Sequence, residues 1–164
     1  MVQNVKEVPY GVSDFRTMVE QNIYYVDKTM YIPELEKQAR YIIFIRPRRF
    51  GKSIFLGMLH AYYDCRTKSK FQQWFGNLWI GKRPTPSQGR YQVLHLDFSM
   101  VGGNIDNLEE KFNFYLGVQL NGFVRYYDEY YSDMIKQNVY ATQDAGGKLA
   151  IIQNEAKMKD YPLY

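Results

Sequence analysis

The apolar run Tyr41-Ile42-Ile43-Phe44-Ile45 passes without a break into Arg46-Pro47-Arg48-Arg49-Phe50-Gly51-Lys52-Ser53. A short apolar run bounded by turn residues reads as a buried strand. After Ser53, the residues Phe55, Met58, Leu59 and Tyr62 recur at i, i+3, i+4 and i+7, which is one face of a helix. Strand, loop ending Gly-Lys-Ser, then helix is the layout of a phosphate-binding P-loop. The chemistry explains the residue types. Gly51 lets the backbone turn tightly and approach an anion without a Cβ in the way. The free N–H groups at the start of the next helix point at that anion, and the helix dipole favours it. Lys52 reaches terminal phosphates as a mobile point charge, and Ser53 offers a hydroxyl to magnesium.

The usual motif opens with glycine, whereas Arg46 stands there in this chain. The competing reading is a basic surface loop that contains Gly-Lys-Ser by chance. Charge bears on the choice. Lys and Arg total 21 and Asp and Glu 17, a net charge of +4. Arg46, Arg48, Arg49 and Lys52 account for that whole excess, so the rest of the chain balances. A broad nucleic-acid-binding face would spread its cations over a surface; one basic loop favours a local anion site.

With 164 residues, 46% of them hydrophobic, the chain suits a single domain with a real core. No apolar run approaches a membrane span, and the N-terminus lacks the apolar region of a signal peptide. One cysteine, Cys65, excludes an intramolecular disulfide, and a reduced, cytoplasmic setting is the simplest inference. Its thiol reads as buried or idle. The 16 tyrosines fall mostly at helical spacing or beside acids, which suits helix packing and partner contact better than base stacking.

Along the chain, Ile23-Tyr24-Tyr25-Val26 reads as a short strand. Helices are expected at about 33–38, 52–64, 67–78, 106–131 and 143–159, with a second core strand at Val93–Phe98. Strand, helix, strand, helix predicts an α/β fold: a P-loop NTPase-like three-layer sandwich with a parallel sheet, here incomplete. Residues 1–40 form an N-terminal segment and 41–164 the nucleotide-binding core.

With these segments in view, the chain resembles the bacterial AAA-ATPase-like family of P-loop proteins. The residues that carry the resemblance are PYGVSDF at 9–15, YYVDKT at 24–29, RPRRFGKS at 46–53, YYD at 62–64, FGNLWI at 75–80 and LDFS at 96–99. That family opens its loop with arginine and proline, so Arg46 departs from the general motif but agrees with the family. The resemblance implies ATP with magnesium as cofactors. Carried over residue by residue, it makes Arg48, Arg49, Phe50, Gly51, Lys52 and Ser53 the nucleotide contacts, with Lys52 on the phosphates and Ser53 on the metal. It also implies a downstream PD-(D/E)XK nuclease-type domain in many members, through which nucleic acid becomes a possible partner.

Hydrolysis further needs an acid on a neighbouring strand. In the family it lies on an apolar strand ending Asp-Glu, and Lys159-Asp160-Tyr161-Pro162-Leu163-Tyr164 resembles the start of that strand before its acids. The chain therefore reads as a predicted hydrolase without its Walker B pair, with self-association through uncovered core surface. Asp97, at the end of an apolar strand, is the substitute candidate for a metal or catalytic role beside Lys52; otherwise it is a polar strand end or helix cap. His95 reads as a core histidine and His60 as exposed. Asp27 reads as a helix cap or, with Lys28, as a neighbour of the nucleotide. The alternative function is a non-catalytic interaction module whose basic loop contacts an acidic partner or nucleic acid.

Overall fold

The structure is a computed structural model that describes residues 6–38, 41–102, 105–159 and 161–164. Helices make up 57% of the described residues and extended residues 3%, and no sheet is present among them. This overturns the expected α/β sandwich. Residues 41–45 adopt no strand, and no backbone hydrogen bond joins them to another segment among the described residues. Tyr41, Ile43 and Ile45 are all more than four-fifths exposed. At 92–94 the only pairing among the described residues is a single parallel bridge between Gln92 and Leu163. The remainder of Val93–Phe98 and the run Ile23–Val26 are also without strand. The physical reason is that a strand satisfies its backbone only through a neighbour, whereas a helix closes its hydrogen bonds within itself. Apolar composition signals a wish for burial but supplies no partner. Asp160, in the expected start of a further strand, lies outside the described residues.

The chain divides into two compact units, residues 1–89 and 90–164. The first contains α1 (Phe15–Glu20), α2 (Ile32–Glu36), α3 (Lys52–Tyr63) and α4 (Phe71–Phe75), with 3₁₀ turns at Thr29–Tyr31, Cys65–Lys70 and Trp79–Lys82. α1 packs on both α3 and α4. Its core is aromatic. Phe15, fully buried, lies 5.1 Å from Phe75 and 5.2 Å from Tyr25, and Tyr62 meets Phe75 at 5.6 Å. Edge-on and tilted ring pairs of this kind add to area burial. The hydroxyls of Tyr62 and Tyr63 have partners. Tyr62 Oη accepts from the backbone N–H of Thr85 at 2.7 Å, and Tyr63 donates to Glu36 at 3.1 Å. α1 starts at Asp14, whose carboxylate accepts from the Thr17 N–H at 2.8 Å, a standard N-cap.

The second unit packs α5 (Leu108–Tyr126), α6 (Asp133–Ala141) and α7 (Ala145–Lys157) against one another. The expected apolar face of α5 is buried only over its later turns, at Leu120, Phe123, Val124 and then Tyr127; Leu108 and Phe112 are exposed. Lys148 of α7 is nearly buried and donates to Val139 O at 2.6 Å and to Asn121 at 3.0 Å. Burial pulls its ammonium below the ordinary lysine range. That side chain runs past Gly117, where an added Cβ would meet Lys148 Cε at 3.7 Å, an ordinary contact.

Candidate functional site

The loop before α3 is the site that the sequence singles out, and its shape follows from two backbone conformations. Gly51, the N-cap of α3, sits in the left-handed region with φ 73°, as glycine can without penalty. Arg49 also has positive φ, at 67°, which costs a residue with a side chain. No side chain caps α3; the carbonyl of Gly51 accepts the first backbone bond, from Phe55 N–H at 2.9 Å. The opening N–H groups of a 12-residue helix are thus left to an outside acceptor.

Lys52 folds back over the loop. Its Nζ donates to the carbonyl oxygens of Arg46 at 2.6 Å and Pro47 at 2.9 Å. An ammonium carries three protons, so one remains for a further acceptor. The two contacts fix the ammonium above the loop and tie loop to helix.

A cleft of about 690 Å³ opens here, lined by Pro9, Tyr10, Gly11, Val12 and Ser13 from one segment and Arg49, Gly51, Lys52, Ser53 and Ile54 from the other. Among the described residues, its charged lining consists of two cations and no carboxylate. Ser53 is exposed in it. Four of the six expected nucleotide contacts therefore share one cleft: Arg49, Gly51, Lys52 and Ser53. Phe50 instead lines a second pocket of about 400 Å³ with Lys28, Tyr31, Leu35, Phe44, Arg46 and Phe55. Arg48 is exposed and lines neither.

Lys28 does come to the loop, with its Nζ 3.7 Å from where a Cβ on Gly51 would sit. Asp27 acts as an organiser. One carboxylate oxygen accepts from the backbone and hydroxyl of Thr29, at 2.8 and 2.7 Å, and the other from the Trp79 N–H at 2.7 Å. Both oxygens are thereby committed to holding the YVDKT segment against residues 79–82.

Asp97 lies in the second unit. Its carboxylate accepts from the backbone N–H of Ser99 at 2.8 Å, and Ser99's N–H and hydroxyl hold it below the usual carboxylate range. Gln119 clips the backbone there from both sides, accepting from Asp97 N at 2.6 Å and donating to Asp97 O at 2.9 Å. His95 is exposed, which corrects its reading as a core residue. His60 is half-buried rather than exposed, with Nε2 3.4 Å from the fully buried Asp64, which Arg16 also approaches at 3.9 Å. Cys65 is buried and unbridged, as expected.

A family model for predicted AAA-ATPases matches residues 9–161. The chain belongs to this predicted AAA-ATPase family. The match begins at the Pro9 segment that lines the cleft and includes the loop, so the AAA-ATPase-like identity covers every residue of the site. An uncharacterized protein from the vnfD 5′ region of Azotobacter chroococcum mcd 1 is 44% identical over 55 residues, covering 33% of this chain and 11% of that protein. The chain thus matches only a small part of that curated relative. No solved structure matches at a significant level. Among the described residues, no helix is long and apolar enough to cross a membrane, and no group of three His, Cys, Asp or Glu side chains is placed to hold a metal ion.

The sequence missed the part played by residues 9–13. The signal was present, since PYGVSDF is one of the family segments, but nothing local ties it to the loop. Packing does so. Gly57 of α3 would bring a Cβ within 3.7 Å of the Phe15 N–H, so the start of α1 rests directly on the first turns of α3.

Proposed function

We infer that the cleft at the start of α3 binds the phosphates of a nucleoside triphosphate, ATP being the nucleotide the family's name points to. The observation that carries this is the uncapped N-terminus of α3, opening into a cleft whose only charged lining residues, among those described, are Arg49 and Lys52. Backbone N–H groups supply fixed partial charge, Lys52 a formal charge pinned by Arg46 and Pro47, and Arg49 a planar fork suited to phosphate oxygens. Magnesium fits as an ion carried by the phosphates, with Ser53 its single protein ligand here; ions of this kind keep most of their water and need few side chains. When bound it neutralises phosphate charge. The described residues of the cleft support binding, and none of those lining it is a carboxylate that could activate water.

A second reading has one observation in its favour. Arg46 and Arg48 are exposed outside the cleft, and Lys52 spends two donors on its own loop, as a brace would. In that case the loop presents cations to an acidic partner or nucleic acid. Salt and metal separate the two. A phosphate pocket discriminates ATP from AMP and binds more tightly with magnesium. A loop on nucleic acid loses affinity log-linearly with salt and ignores the number of phosphates. Isothermal titrations of ATP, AMP and a short oligonucleotide at two salt concentrations, with and without magnesium, decide it.

A further inference from the structure

We propose that the Pro9–Ser13 segment is the nucleoside wall of the same cleft, with the ring of Tyr10 as the surface on which the base stacks. The inference rests on the phosphate reading above and adds where the remainder of the ligand goes.

The cleft has two walls of different character. Arg49, Lys52 and Ser53 form the cationic, hydrogen-bonding wall; Pro9, Tyr10 and Val12 form the other, with no charge. Phosphates alone have no use for the second wall, whereas a nucleotide has a flat aromatic ring to place there. At about 690 Å³ the cleft falls in the range of drug-sized ligand sites, well beyond the needs of one phosphate group. Tyr10 is 98% exposed, so its ring contributes nothing to the core of this unit. An aromatic ring spread in solvent at the rim of an anion-binding cleft withdraws its apolar surface from water only when something covers it. A purine does so by stacking, and the phenol oxygen stays in water.

The local backbone fixes where the ring emerges. Gly11 has φ 72° and open space around it, and the chain bends at Tyr10 and Gly11. Three residues later Asp14 caps α1, and Phe15 anchors that helix in the core. Because α1 rests on α3 at Gly57, the position of Tyr10 is referred to the same helix that presents the phosphate-binding N–H groups. The spacing between base wall and phosphate wall is thus set by one helix contact.

The second pocket, with Phe44, Phe50 and Phe55, is the competing place for a base. It contains none of Lys52, Ser53 or Arg49, so a nucleotide seated there would leave the phosphate residues unused.

The test compares ATP with inorganic tripolyphosphate, which has the charge and no base, by calorimetric titration in magnesium. The proteins are the unaltered chain, Tyr10→Ala, Tyr10→Phe and Phe50→Ala. The expected result is that Tyr10→Ala weakens ATP on the order of tenfold while leaving tripolyphosphate unchanged, and that Tyr10→Phe behaves as the unaltered chain. Unchanged ATP affinity in Tyr10→Ala overturns the assignment. So does an equal loss of both ligands, which would make Tyr10 part of the phosphate site. A loss of ATP affinity confined to Phe50→Ala moves the base to the second pocket. If the unaltered chain binds neither ligand, the phosphate reading itself fails, and the assignment with it. Tyr10 is exposed, so loss of fold does not confuse the comparison, and matching thermal unfolding curves verify it.

Discussion

Lys52 and Gly51 carry the site through opposite means. Lys52 is a charge held above the loop by two carbonyl oxygens, at 2.6 and 2.9 Å from its Nζ. Gly51 matters for what it lacks. With φ 73° it occupies a region that costs an L-residue about 1–2 kcal/mol. The space beside it is open, since the nearest atom to an added Cβ is the end of the flexible Lys28 side chain at 3.7 Å. Gly51→Ala is therefore expected to lose about 1 kcal/mol of stability, from backbone strain and without steric clash. Urea unfolding of the two proteins measures this, and a loss above about 3 kcal/mol would show that the loop cannot accept even the methyl group. Gly57 presents the reverse case. It is helical, its Cβ position meets only ordinary contacts at 3.7 to 3.9 Å, and alanine is the better helix former. Gly57→Ala is expected to be neutral or stabilising by up to about 1 kcal/mol. A leucine there would lift α1 off α3 and separate the two walls of the cleft.

At the scale of elements, what could be read from the sequence was what closes locally. α3 is expected at about 52–64 and found at Lys52–Tyr63; α7 is expected at about 143–159 and found at Ala145–Lys157. Their ends are marked by residues whose chemistry is short-range. Asp144 accepts from the Gly147 N–H at 2.6 Å, and Asp144→Ala should cost about 1 kcal/mol, read as a shifted urea midpoint with an unchanged slope. An unchanged midpoint would mean that α7 is held by packing alone, through Ala145, Ile152 and Ala156. Two helices escaped sequence reading. α1 is only six residues long, and α6 follows a tyrosine-rich run whose Ser132 cap at Ile135 is easily taken for the tail of α5. The strand readings failed for a different reason. Tyr41–Ile45 and Val93–Phe98 have strand composition, yet pairing depends on a second segment, and periodicity says nothing about whether one is there. The site divides the same way. That Arg49, Gly51, Lys52 and Ser53 lie close together was legible because they fall within one short motif. Residues 9–13 were not, because an aromatic core around Phe15 and a helix contact at Gly57 bring them to the loop.

On the scale of the molecule, a net charge of +4 equals the four cations of the loop, so binding of a polyanion nearly neutralises the chain's excess. Alkaline stability should expose the aromatic core of the first unit. Burial pushes the Tyr25 phenol up to about 12, against a partial opposing pull from the backbone of Lys28, and it raises Tyr62 as well. A phenol whose folded value lies above its unfolded value of 10.0 contributes stability that is complete below pH 10 and is lost as pH climbs toward 12. Urea midpoints between pH 9 and 12 should therefore fall more steeply for the unaltered chain than for Tyr25→Phe. Parallel slopes would show that Tyr25 is not shielded from water. The central claim, that the loop at 46–53 is a site for nucleotide phosphates, is tested most directly by titrating ATP with and without magnesium into the unaltered chain and Lys52→Ala. The account predicts saturable binding that strengthens with magnesium and is lost, or weakened at least tenfold, in Lys52→Ala, since a formal charge contact is removed. Equal binding by both proteins, or none by either, would contradict it.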